Sequence, residues 1–143
     1  MSRNPRYNAS GCLDMTAYEA LRNIEREENR GKRPYKPLVY VCSPFAGDEA
    51  RNTERARQFC KFAVRKGTIP FAPHLLYPQF MSDRDADERE LALFFGIVWL
   101  CKMDEVWVFG DTLSEGMKRE IKKAHTRGIP VKYFTEDCEV RRI

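Results

Sequence analysis

The sequence has no apolar run of membrane-spanning length, and its opening Met1-Ser-Arg-Asn-Pro-Arg lacks the hydrophobic core of a secretion signal. A cytoplasmic chain with no membrane partner is therefore expected. Its five cysteines, Cys12, Cys42, Cys60, Cys101 and Cys138, form no Cys-x-x-Cys pair and are odd in number. Scattered within apolar patterns, they read as free buried thiols of a reducing compartment, which excludes a disulfide framework. The two histidines, His74 and His125, fall on different elements and share no ligand spacing, so no metal is expected. Neither Gly-x-Gly-x-x-Gly nor a Gly-Lys-Ser/Thr ending occurs, which argues against a dinucleotide cofactor or a P-loop nucleotide; no cofactor is expected. There is also no block of like charge. The net charge of +4 is modest, and the bases of the N-terminal arm, Arg22, Arg26, Arg30, Lys32, Arg33 and Lys36, interleave with acids, which argues against nucleic acid as a partner.

What remains is an ordinary globular composition, 43% hydrophobic and 32% charged, over 143 residues, a length that suits one core. Residues 1–36 differ in character from the rest. Asp14 or Thr16 is placed to cap a helix running to about Asn29, with Ala17, Leu21 and Ile24 along one narrow stripe. We read this as a helical arm and linker, docked on the domain or on a partner subunit, ahead of an α/β domain over 37–143.

Within that domain, short β-branched and aromatic runs alternate with helical patterns. Strands are predicted over 38–42, 68–72, 106–109 and 130–134, and helices over about 49–66, 87–102 and 115–127. Strands that alternate with helices make a parallel sheet joined by right-handed crossovers. Pro70 cannot donate to a ladder, which puts its strand at an edge. The expected fold is a flavodoxin/Rossmann-like three-layer sandwich, with sheet order 2-1-3-4 and the N-terminal helical extension.

The most informative stretch runs from Asp104 to Glu120. A strand buried on both faces, Val106 to Phe109, breaks at Gly110 and Asp111, and Thr112, Ser114 and Glu115 then start a helix. Met117, Ile121 and Ala124 form its apolar stripe, and Glu120 stands at the edge of that stripe. A helical side chain leans over the preceding turn, so Glu120 lies over Gly116, which has no side chain to fill the space. Open α/β sheets bind ligands at the carboxyl ends of their strands, where this helix begins.

The spacing Ser114-x-Gly116-x-x-x-Glu120 after a buried strand resembles the signature of the nucleoside 2-deoxyribosyltransferase superfamily and its deoxynucleotide N-hydrolase relatives. Val39 to Gly47 is similar to the family's first strand and sugar-side loop, and the resemblance runs over roughly 37–134, closest to an uncharacterised branch of bacteria and their phages. It implies an N-glycosidic hydrolase or deoxyribosyltransferase acting on a nucleoside or nucleotide, with Glu120 as nucleophile. It also implies a partner acid near the start of the preceding helix: Glu90, which is followed by Leu91 as in the family, or Asp87. The segment from Glu90 to Asp104 is about two helical turns longer than its counterpart. Expected substrate contacts are Ser43, Phe45, Gly47, Asp48, Asn52, His74, Ser114 and Gly116. Cys42 to Gly47 carries no arginine for a phosphate.

Each of these residues also has a plainer reading. Asn52 can hold the loop backbone. His74 can be a hydrogen-bonded loop histidine, as no nucleophile is evident for it to activate. Glu120 alone could be a helix glutamate paired with a lysine. Two other functions fit the same chain: a non-catalytic module that binds a nucleotide-like ligand, and an oligomeric assembly protein. The helix predicted over about 87–102 is apolar nearly all round, and the stripe with Phe95 and Trp99 is expected to make a homo-oligomer interface.

Overall fold

The computed structural model describes residues 15–30 and 34–142. It divides into two compact units, residues 1–35 and 36–143. The first contains helix α1, Met15–Arg30, in which the Arg22 guanidinium lies 5.7 Å from the Tyr18 ring centroid. Asp14, one of the two predicted caps, Cys12, and linker residues 31–33 lie outside the described residues.

The second unit runs β1 (Leu38–Cys42), α2 (Glu49–Arg65), β2 (Ile69–Phe71), α3 (Ala86–Leu100), β3 (Glu105–Phe109), α4 (Glu115–Thr126) and β4 (Val131–Phe134). The four strands make one parallel sheet in the order β2-β1-β3-β4. This is the predicted three-layer α/β sandwich with an N-terminal helix. Two 3-10 turns, Pro73–Leu75 and Tyr77–Gln79, lead from β2 towards α3. No helix among the described residues is long and apolar enough to cross a membrane.

Strand alternation divides the core in two. Val39 and Val41 of β1 and Trp107 and Phe109 of β3 face α2, where they meet Phe59 and Ala63. Tyr40 and Cys42, with Val106 and Val108, face the other way, towards Met117, Ile121 and Ala124 of α4 and Leu100 of α3. The α2 side is aromatic: Phe59 and Phe109 stack at 4.3 Å between centroids, and Phe109 and Phe134 at 5.1 Å. The four described cysteines are free, but only Cys42 is fully buried.

The chain after β4 folds back. Phe134 and Val140 form an antiparallel bridge, and Arg141 Nη1 donates to the carbonyls of Gly110 and Asp111 at 3.3 and 3.4 Å. The charged end of the sequence thus ties down the loop between β3 and α4.

Candidate functional site

From the central strands β1 and β3, the chain leaves in opposite directions along the sheet, through α2 towards β2 and through α4 towards β4. Between their carboxyl ends lies the crevice that open parallel sheets offer to ligands. Glu120 stands on its α4 side. Ser114 caps α4 by accepting a hydrogen bond from the Met117 amide at 3.2 Å, which sets the helix rotation. Met117, Ile121 and Ala124 are then buried on the sheet, and Glu120 is partly buried beside them.

The Tyr40 hydroxyl donates to Glu120 Oε1 at 2.8 Å. Cys42, two residues along the same face of β1, lies with its Sγ 4.0 Å from the Met117 carbonyl. Burial raises the Glu120 carboxyl above its ordinary 4.5, while hydrogen bonds from Cys42 and Tyr40 and the charge of Arg119 pull it back down. Burial, helped by the carboxylate, also lifts the Tyr40 phenol and the Cys42 thiol well above their usual values. Both therefore stay protonated and serve as donors. A Cβ added at Gly116 would meet only Ser114 Oγ, at 3.9 Å, so the first turn of α4 is uncrowded there.

A second polar group forms at the end of β1. Ser43 Oγ and His74 Nε2 are 3.1 Å apart, with the Phe45 ring 5.8 Å from the imidazole. Ser43 is buried, and burial pulls His74 down to about 4, so the imidazole is neutral at physiological pH. The hydroxyl expected to be missing beside His74 is thus supplied by Ser43. Asn52 follows its plainer reading: Nδ2 donates to the carbonyls of Phe45 and Ala46 at 3.0 and 3.2 Å and shapes the loop. Gly47 holds a positive φ of 100° in that loop, and Asp48 caps α2 by accepting from the Arg51 amide. On the α2 side, a small cleft runs between Pro44, Asn52 and Thr112, flanked by the Arg55–Glu136 ion pair at 2.6 Å.

The acids expected to partner Glu120 lie on the first turns of α3. Asp87 and Glu90 are exposed, whereas the buried positions of α3 are Gly96 and Leu100. At roughly 100° per residue, Asp87 stands opposite Gly96, and Glu90 about 120° away from it. Phe94, one turn on from Glu90, is 61% exposed. A helix apolar on every side gives periodicity nothing to choose by. What sets the rotation is Gly96, where the helix approaches Tyr40 and Pro73. The acid nearest the inner face is Glu88, which accepts from the Ser82 amide at 2.7 Å. Phe95 and Trp99 do have partners in the chain: Trp99 Nε1 donates to Tyr77 Oη at 2.7 Å and its ring lies 4.9 Å from Phe71, while Phe95 lies 5.4 Å from Tyr77.

Tyr40, Cys42 and Gly96 were not singled out by sequence. Alternation along β1 was the available signal, because it sets Tyr40 and Cys42 on one face; that this face meets Glu120 depends on the sheet order.

The family model described as "Domain of unknown function (DUF7768)" matches residues 37–134. No curated protein matches the chain. Among solved structures, the chain is similar to a 2-deoxyribosyltransferase from the psychrotolerant bacterium Bacillus psychrosaccharolyticus, with a TM-score of 0.55 and 18% identity over 73% of this chain and 77% of that one. A conserved protein from Enterococcus faecalis V583 matches with a TM-score of 0.49 and 19% identity, over 70% of this chain and 64% of that one. The likeness to the first is one of fold.

Proposed function

The chain belongs to the DUF7768 family, and on its deoxyribosyltransferase-like fold we propose that it cleaves or transfers the N-glycosidic bond of a nucleoside or nucleotide, with Glu120 as nucleophile. One observation carries this reading: a partly buried carboxylate, held by a tyrosine hydroxyl, stands on α4 one turn after the uncrowded Gly116, in the helix that leaves the carboxyl end of a central strand. Ionised Glu120 attacks the anomeric carbon as the bond to the base breaks. Water or a second base then takes the sugar from the enzyme, as in retaining glycoside chemistry. Tyr40 keeps one carboxylate oxygen occupied, which leaves the other to form the new bond. The Ser43–His74 pair and the loop shaped by Asn52 supply neutral polar contacts for the sugar.

A second reading is a binding module that retains the pocket without the reaction. It is favoured by the exposure of Asp87 and Glu90: among the described residues, no other carboxylate is hydrogen-bonded into the Tyr40–Glu120–Cys42 group. Chromatography for free base separates the two readings, using a panel of ribo- and deoxynucleosides and their 5′-monophosphates with the protein and with Glu120→Ala. Base release that disappears in the variant supports the enzyme. Saturable binding of one compound, with no base released by the unaltered protein, leaves the binding module.

A further inference from the structure

We propose that Gly96 is a positioning residue that sets the Tyr40 hydroxyl against Glu120. This rests on the reading of Glu120 as the working carboxylate, but its test does not depend on turnover. Gly96 sits in the interior of α3 with no positive φ, so its backbone asks for no glycine. Alanine is the better helix former at such a position, which leaves a steric reason for its absence.

That reason is visible. A Cβ built on Gly96 would lie 3.1 Å from Tyr40 Oη and 3.7 Å from Pro73 Cγ. The oxygen it meets is the one that donates to Glu120 Oε1. Tyr40 has little room to yield. It is fully buried in the middle of β1, its backbone is held between β2 and β3, and the Phe71 ring lies 6.3 Å from its own. The helix cannot back away freely either, because Leu100, one turn on, is itself fully buried in the same core. An added methyl therefore displaces the phenol oxygen from the position in which it meets Glu120 at 2.8 Å, and the bond weakens as its length and angle leave that geometry. α3 thus supplies a wall that fixes where the phenol ends, although none of its own side chains need touch the carboxylate.

The sign of the effect follows. The Tyr40 hydrogen bond favours the ionised carboxylate, so loosening it raises the Glu120 pKa further and moves the loss of ionisation to higher pH. The test titrates the Glu120 carboxyl by 13C NMR in the full chain, in Gly96→Ala, in Tyr40→Phe and in the double variant. Gly96→Ala is expected to shift the titration upward in the same direction as Tyr40→Phe and to add nothing in the Tyr40→Phe background, where the oxygen it collides with is gone. If the chain releases base, the acid limb of its pH profile should move to higher pH in Gly96→Ala, in parallel with the titration, with turnover lost on the acid side. A titration unchanged in Gly96→Ala, or shifts that add in the double variant, overturns the proposal. Absence of turnover in every protein, with the coupled titration intact, would sink the enzymatic reading and leave the role of Gly96 standing.

Discussion

Glu120, the proposed nucleophile, is also a liability to the fold. Burial raises its pKa, because the charged form of the carboxyl costs more in the folded protein than in the unfolded chain. By linkage, a carboxyl whose folded value is raised makes the protein less stable as pH climbs through that value. Glu120→Gln is thus expected to melt at a higher temperature than the unaltered chain at pH 7, while base release falls by more than about a thousandfold. Scanning calorimetry and the chromatographic assay on the same samples check both. His74 works in the opposite sense. Its folded value of about 4 lies below the ordinary 6.5, so its contribution is complete above about pH 6.5 and is lost as pH falls towards 4. Up to about 3 kcal/mol is at stake at full burial. Urea midpoints at pH 7 and pH 4.5 should therefore lie closer together in His74→Gln than in the parent; an unchanged gap would assign the acid sensitivity to other groups.

At the scale of elements, the strands were legible and the rotation of one helix was not. The runs at Val39 to Cys42 and Val106 to Phe109 are apolar on both faces, Pro70 marks an edge, and Ser114 and Gly128 bracket α4, so the sheet order and the inward lean of Glu120 followed from local chemistry. α3 offered Ala92, Phe94, Phe95, Ile97 and Trp99 on several faces at once, and the inner face was decided by a close approach to Tyr40 that no local pattern records. The Ser43–His74 pair was hidden for a related reason, since the two residues come from separate strand ends. The β1–α2 loop is the element whose shape is most open to test. Asn52→Ala removes two hydrogen bonds to loop carbonyls and should cost about 1–2 kcal/mol in a urea titration. If the loop meets the sugar, KM should rise more than kcat falls; equal loss in both would place the effect on the reactive geometry instead.

At the scale of the molecule, one exposed apolar surface lies on the outer side of α3. Leu91, Phe94 and Val98 are exposed there, while the predicted interface residues Phe95 and Trp99 also pack on Tyr77 and Phe71. A homo-oligomer remains a proposal, and Phe94 becomes its sharper probe. Phe94→Glu should reduce the sedimentation coefficient to that of a single chain and leave the far-ultraviolet circular dichroism unchanged; identical sedimentation of both proteins would remove α3 as the interface.

The sheet itself is poorly made for such association. Ile69 turns its amide inward, to the Pro37 carbonyl, and alternation along the strand then turns the amide position of residue 70 outward, where proline has no hydrogen to give. At the opposite margin, the bridge from Phe134 to Val140 occupies part of β4. Growth of the ladder from molecule to molecule, the route by which exposed strands seed aggregates, is thereby obstructed at both ends. A concentrated sample should stay free of cross-β fibres even where its helical faces associate.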